Sequence, residues 1–292
     1  FYINKWDNGE FKGDAISTTS ELVKISSDGN LGLQEGQKFE RGGIYRFTVD
    51  VTKGNTKAVL TVEKVGKVDL PAPDIFFGNS KMEVTDTDIY KSDQVFTRGQ
   101  MITVTGIDNL NEWWIDPDFF EKQSDGTLKF LPINGDYRVT ANGILKYFSV
   151  IALKDGKPAK LQDDGTGAIW AIGKGIGKPS VTSSEVGWET GKALCLAQVA
   201  PKKYQLTLKA GETLKTSGDW EAISFKFFYQ NDWGGEFSNY ASNTLVEQLK
   251  LTGSGNLEMQ DNKAFEEGGV YRFTIDVTNG NANAILKVEK IN

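Results

Sequence analysis

Residues 39–65, FERGGIYRFTVDVTKGNTKAVLTVEKV, and residues 265–291, FEEGGVYRFTIDVTNGNANAILKVEKI, agree at about two thirds of their positions without a gap. A repeat of that strength confines the chain to folds built from similar units, each of which must bury an apolar face. The likeness continues upstream through SDGNLGLQ against GSGNLEMQ and back to Trp6 against Trp233, with one residue inserted between Trp6 and Phe11. A third, weaker copy lies between them: SDGTLKF at 124–130 and GDYRVTANGILKYFSVIAL at 135–153, preceded by the pair Trp113–Trp114.

In each copy the run after the glycine alternates with period two. Tyr45, Phe47, Val49 and Val51 point one way, and Arg46, Thr48 and Asp50 the other. TKGN, TNGN or TANG then supplies a tight turn, and a second strand with Ala58, Leu60 and Val62 faces the same core. The pattern predicts an all-β protein of tandem Ig-like antiparallel β-sandwich domains. GKVDLPAPD at 66–74 and KDGKPAKLQDDGTG at 154–167 are polar, Pro- or Gly-bearing and without period, so they mark the boundaries. Three modules follow: 1–68, the back half of a sandwich; 69–157, a divergent copy; and 158–292, a complete sandwich. Only the last has a full front half, in AIWAIG, ALCLAQVA, KYQLTL and AISFKFFYQ. Half a sandwich leaves a strand edge and an apolar face open, so the natural chain is expected to continue upstream of residue 1.

Composition removes several classes of function. The sequence has no histidine, which takes away the commonest general base and the usual zinc ligand. The single cysteine, Cys195, sits in the apolar alternation ALCLAQV and reads as a buried thiol. A net charge of −6 without a Lys/Arg cluster disfavours nucleic acid. No apolar run reaches the length of a membrane helix, and no signal peptide is present, although a removed leader is compatible with the sequence. GKGIGKPS at 173–180 fails the phosphate-loop and dinucleotide spacings, and DTD at 86–88 and DDGTG at 163–167 fail that of a calcium loop. No metal or cofactor site is expected.

Seven tryptophans remain to be explained. A sugar ring offers a face of C–H groups and a rim of hydroxyls, so its binder needs a flat apolar platform beside polar groups. Covering on the order of 100 Å² of such surface is worth roughly 2–3 kcal/mol, which makes one site weak and several linked sites useful. FYQNDWGGEF at 228–237 places Trp233 where a strand gives way to a loop, beside Asn231 and Asp232, with Tyr229 and Lys226 just upstream and Trp220 a strand's length away. Trp6 and Asn4 hold the equivalent place in the first copy, FYINKWDNGEF. Of the adjacent Trp113 and Trp114, one enters the core and the other does not. Trp170, in AIWAIG, is a core residue.

The order IWAIG, VGWET, YQLTLKAGE, ISFKFFYQNDW, GNLEMQ and GGVYRFTIDV in residues 169–277 resembles the starch-binding modules of SusE and SusF, outer-membrane lipoproteins of Bacteroides glycan-uptake systems. Segment 3 fits throughout, segment 1 over its back half and segment 2 loosely. The resemblance implies a non-catalytic, surface-exposed lipoprotein of the outer membrane that holds an oligosaccharide or polysaccharide, an α-glucan among the candidates. It implies as partners a glycan transporter of the outer membrane and its lipoproteins, with membrane attachment only through a lipid anchor outside this chain. It also adds Trp188, in the GW of VGWET, to the candidate ligand contacts. Two rivals stay open: a glycoside hydrolase or lyase using two carboxylates, and a structural or adhesion sandwich with all its tryptophans buried.

Overall fold

The computed structural model describes residues 11–40, 42–68, 72–218 and 222–292. Trp6, Asn4 and Trp220 lie outside them. The chain divides into two compact units, residues 1–72 and 73–292.

Unit 1 holds β1 (Ile16–Thr18), β2 (Val23–Ile25), β3 (Leu31–Leu33), β4 (Gly43–Asp50) and β5 (Ala58–Lys67). The hairpin read from the alternation is β4–β5, with Phe47 opposite Val62 and Val49 opposite Leu60. Gly54 takes φ +90° in its turn, where a side chain would be strained. β1 lies parallel to the far side of β5, and β2 and β3 form a short ribbon. Phe11, Ile16, Val23, Ala58 and Leu60 make a small core.

The first part of unit 2 contains β6 (Phe76–Phe77), β7 (Ser80–Lys81), β8 (Glu83–Asp86), β9 (Ile89–Phe96), β10 (Met101–Ile102), β11 (Val104–Thr105), β12 (Phe120–Lys122), β13 (Leu128–Phe130), β14 (Gly135–Asn142), β15 (Tyr147–Lys154) and β16 (Lys157–Pro158). A five-stranded sheet ordered β16-β15-β14-β9-β8 accompanies two small sheets, β10-β13-β12 and β11-β6-β7. Phenylalanines fill the space between them. Phe77 contacts Phe96, Phe120 and Phe148, and Phe130 stacks on Phe96 at 4.9 Å. The turn of the β14–β15 hairpin departs from the expected one: Asn142 Oδ1 accepts from the Ile144 and Leu145 N–H groups, and Lys146, not Gly143, takes the left-handed φ of 48°.

The remainder is the full sandwich: β17 (Trp170–Gly177), α1 (Val181–Ser184), β18 (Glu185–Gly187), β19 (Leu194–Cys195), β20 (Ala197–Ala200), β21 (Lys203–Lys209), β22 (Ser224–Phe228), β23 (Ser242–Thr244), β24 (Leu249–Leu251), β25 (Leu257–Met259), β26 (Val270–Asp276) and β27 (Ile285–Lys290). One sheet runs β18-β17-β22-β25-β24 with β19 on β17, the other β20-β21-β26-β27-β23. ALCLAQVA, expected as one strand, is β19 and β20 in different sheets, so the chain crosses the sandwich between Cys195 and Ala197. Phe225 and Phe227 reach Phe273 across the core at 5.5 and 6.5 Å. Trp170 is buried as expected, its Nε1 donating to the Ala159 carbonyl at 3.0 Å.

Repeat equivalence holds in detail. Phe39 meets Tyr45 edge-on at 4.7 Å, as Phe265 meets Tyr271 at 4.6 Å. Both tyrosine hydroxyls accept from a backbone N–H five residues upstream, that of Glu40 or Glu266. Lys64 pairs with Glu40 as Lys290 pairs with Glu266.

The segment 154–167, expected as a boundary, lies inside unit 2 and packs on the sandwich that follows it. Ala159 and Leu161 are buried, Leu161 N–H donates to the Tyr229 carbonyl at 2.8 Å, and the Tyr204 hydroxyl donates to the Gly165 carbonyl. The segment is polar by count, but its two apolar side chains point inward.

Candidate functional site: an aromatic loop on the complete sandwich

β22 ends at Phe228 and returns through a short loop. Phe228 forms a β-bridge to Glu236, and the Phe237 N–H donates to the Phe227 carbonyl at 2.9 Å. Inside that closure the Trp233 N–H donates to Asp232 Oδ1 at 2.8 Å, and Gln230 Nε2 donates to the Trp233 carbonyl at 2.7 Å. Gly234 and Gly235 follow with φ of +80° and +76°, a left-handed pair that turns the chain straight back. The loop is thus held by its own side chains, and its tryptophan stands outside it. Trp233 is 51% exposed.

Two other rings fix that indole. Phe228 meets it edge-on, 6.0 Å between centres and 76° between planes. Trp188 lies 6.3 Å away with planes 27° apart. Trp188 follows β18, which flanks β17 on one side through the Gly173–Gly187 pair, and β22 flanks β17 on the other. Residues 45 positions apart therefore meet over one central strand. Lys226 pairs across with Ile172, in the row next to Gly173, and is half-buried. Asn231 and Asp232 lie in the loop itself, half-buried and exposed respectively. Tyr229 stands at the loop's base, edge-on to Phe237 at 4.3 Å, and partial burial raises its hydroxyl pKa.

Of the residues selected from sequence, the structure brings Trp233 and Trp188 together, with Asn231 and Asp232 in the same loop. Trp113 is corrected: it is buried and stacked on Phe148 at 4.6 Å, so its ring faces are not open to a ligand. Trp114, which makes an isolated bridge to Tyr147, is half-buried in a junction. Its Nε1 donates to Glu212 at 2.5 Å, and Tyr147 meets its ring at 5.5 Å. Gln230 and Phe228 were not legible as site residues. Phe228 shares the parity of Ser224 and Lys226 along β22, yet it is buried, with Trp233 edge-on to its ring.

That junction contains a buried ion cluster. Lys178 Nζ donates to both oxygens of Asp116, at 2.9 and 2.7 Å, and to Asp118 Oδ2 at 3.1 Å. Asp118 also accepts from Gln205 Nε2, Thr207 Oγ1 and the Thr207 N–H. Burial drives the Asp116 carboxyl above its usual pKa, with the Asp118 charge adding and Lys178 only partly offsetting. For Asp118 burial acts in the same sense, but Lys178 with the Gln205 and Thr207 hydrogen bonds outweighs it and the pKa is lowered. The cluster borders a cleft of about 730 Å³ whose walls include Tyr147, Ser183, Glu189 and Cys195. Two carboxylates beside a cleft are the constellation a glycosidase uses, yet every oxygen of this pair already accepts a protein donor. Burial lifts the Cys195 thiol to about 12, so it is no nucleophile at neutral pH.

Fold and site together define an all-β protein of sandwich modules that presents one braced aromatic platform on its complete module. Comparison with known families gives the chain its place: a profile described as Domain of unknown function (DUF5121) matches residues 1–52 and 164–278, more than half of the sequence. The chain belongs to that family. The two matches end at equivalent repeat positions, Thr52 and Thr278. A second profile, Domain of unknown function (DUF5125), matches residues 70–161, the phenylalanine-rich part of unit 2. No curated protein matches the chain.

Proposed function

We propose that this protein is a non-catalytic glycan-binding protein that holds an oligosaccharide or polysaccharide against Trp233. One observation carries the reading: the indole is half exposed yet held by Trp188 and Phe228 and by a loop closed with its own hydrogen bonds. A ring braced by its neighbours has less entropy to lose on stacking, so more of its apolar contact is available as affinity. Asp232, Asn231 and Lys226 supply donors and acceptors for hydroxyl groups nearby. The resemblance to SusE and SusF supports an outer-membrane, surface-exposed setting in a polysaccharide-uptake system, with a glycan transporter as partner and an α-glucan as the first ligand to try.

Affinity electrophoresis and calorimetry of the whole chain against a glycan panel test the reading. Retention without product release is the expected result. Product release would favour the hydrolase or lyase, and absence of both a scaffold.

A further inference from the structure

β4 and β26 are one strand in two settings. GIYRFTVD and VYRFTID share the same register to their hairpin partners, Phe47 opposite Val62 and Phe273 opposite Val288. β26 has a second neighbour, β21, whereas β4 has none among the described residues. The consequence is written in burial. Phe47 is 40% exposed where Phe273 is 0%, Leu31 is 40% exposed where Leu257 is 0%, and Val51 is 45% exposed where Val277 is 0%. Leu33 and Phe39 are exposed too, and their equivalents Met259 and Phe265 are buried. Exposed apolar groups in such a contiguous set, beside an unpaired strand edge, mark an interaction surface.

The chain itself shows what fits that surface. In the complete module β21 places Leu208 opposite Tyr271, Leu206 opposite Phe273 and Tyr204 opposite Ile275. Lys203 pairs with Asp276 at 3.0 Å, and β22 lays Phe225 beside Leu257. Every receiving residue has its counterpart in unit 1: Tyr45, Phe47, Val49, Asp50 and Leu31. The Asp50 carboxyl is already oriented by the Thr52 N–H at 2.9 Å, as Asp276 is by Thr278.

We propose that the free edge of β4 and the apolar face beside it dock the front half of a DUF5121-type module. That front half is an antiparallel strand with apolar side chains opposite Tyr45, Phe47 and Val49 and a cation opposite Asp50, accompanied by a strand with inward phenylalanines. Main-chain hydrogen bonds supply affinity and the alternate side chains supply register.

The test adds a copy of residues 164–227 ahead of Phe1, which repeats Phe228, and follows amide exchange at residues 43–51. Exchange should slow on the order of 100-fold relative to the unextended chain, and Leu206→Asp with Leu208→Asp in the added copy should abolish the effect. A peptide of residues 202–210 added to the unextended chain should protect the same amides, which decides the matter even if the extension misfolds. Unchanged exchange in both formats overturns the proposal. So does a concentration-dependent dimer of the unextended chain that already protects residues 43–51, because the occupant is then a second copy.

Discussion

Lys178 and Asp116 form a two-bond ion pair buried from solvent, 62 residues apart in sequence, and with Asp118 they join the phenylalanine-rich part of unit 2 to the sandwich that follows it. Such a cluster fixes an arrangement more than it adds net stability, because desolvating three charges consumes most of the Coulomb gain. Removing one member is another matter.

Lys178→Met leaves two carboxylates buried without their cation. It should cost about 3–5 kcal/mol in urea unfolding of the whole chain. A loss below about 1 kcal/mol would show that water reaches the cluster and that it does not pin the junction.

The pH dependence of that pin has a definite sign. Asp116, raised above the usual 3.8, binds its proton more tightly in the folded state, so its contribution falls as pH rises through its folded pKa. Asp118, lowered below 3.8, contributes stability above that value and loses it as pH falls through its folded pKa. The two slopes meet near pH 4, where the cluster is most favourable. Asp116→Asn should flatten the decline above pH 4 and leave the acid-side loss intact, measured as unfolding free energy against pH.

Trp233→Ala should weaken glycan binding at least tenfold, from the roughly 2–3 kcal/mol a stacked ring supplies, while leaving the thermal transition within a few degrees. Trp188→Ala should have a smaller effect on affinity, since that ring braces the platform. Calorimetry paired with circular dichroism melts separates the two quantities. Full affinity in the Trp233 variant would remove the loop from the site.

Gly235→Ala tests the platform without touching it. At φ +76° a side chain costs about 1–2 kcal/mol, and its Cβ would meet the Tyr229 ring at 3.4 Å. Affinity should fall although both indoles are intact, and the fluorescence maximum of Trp233 should shift as the loop rearranges.

The hairpin in unit 1 and its twin offer a paired measurement. Phe273→Ala should cost about 3–5 kcal/mol, as for a buried phenylalanine, and Phe47→Ala under about 1.5 kcal/mol. Equal losses in unfolding experiments would mean that the face of unit 1 is covered in solution.

Alternation and duplication made the hairpins legible, because a period of two and a repeated register are local properties of the chain. The burial of Trp170 and Cys195 was legible for the same reason. The junction was not. Lys178, Asp116 and Asp118 look like surface charges in any sequence window, and only the fold brings them together under Gln205 and Thr207. The site was half legible: the Trp233 loop announced itself through its glycines and amides, whereas the role of Phe228 depended on what folds back over it. Trp113 and Trp114 do differ in burial, but they follow a 3-10 turn and lie in no strand, so alternation is not what separates them; Trp113 is the inward one because it stacks on Phe148.

The Trp233 loop closes on the end of its own strand, through the Phe228–Glu236 bridge and the Phe237–Phe227 hydrogen bond. Its base stays tied to the core, because the Leu161 N–H holds the Tyr229 carbonyl and Tyr229 packs on Phe237, whereas Gln230 to Gly235 lie within the closure. Under the proposed glycan-binding role, residues 230–235 are the place where ligand preference would be rewritten, by length or by side chain, on a sandwich that keeps its core.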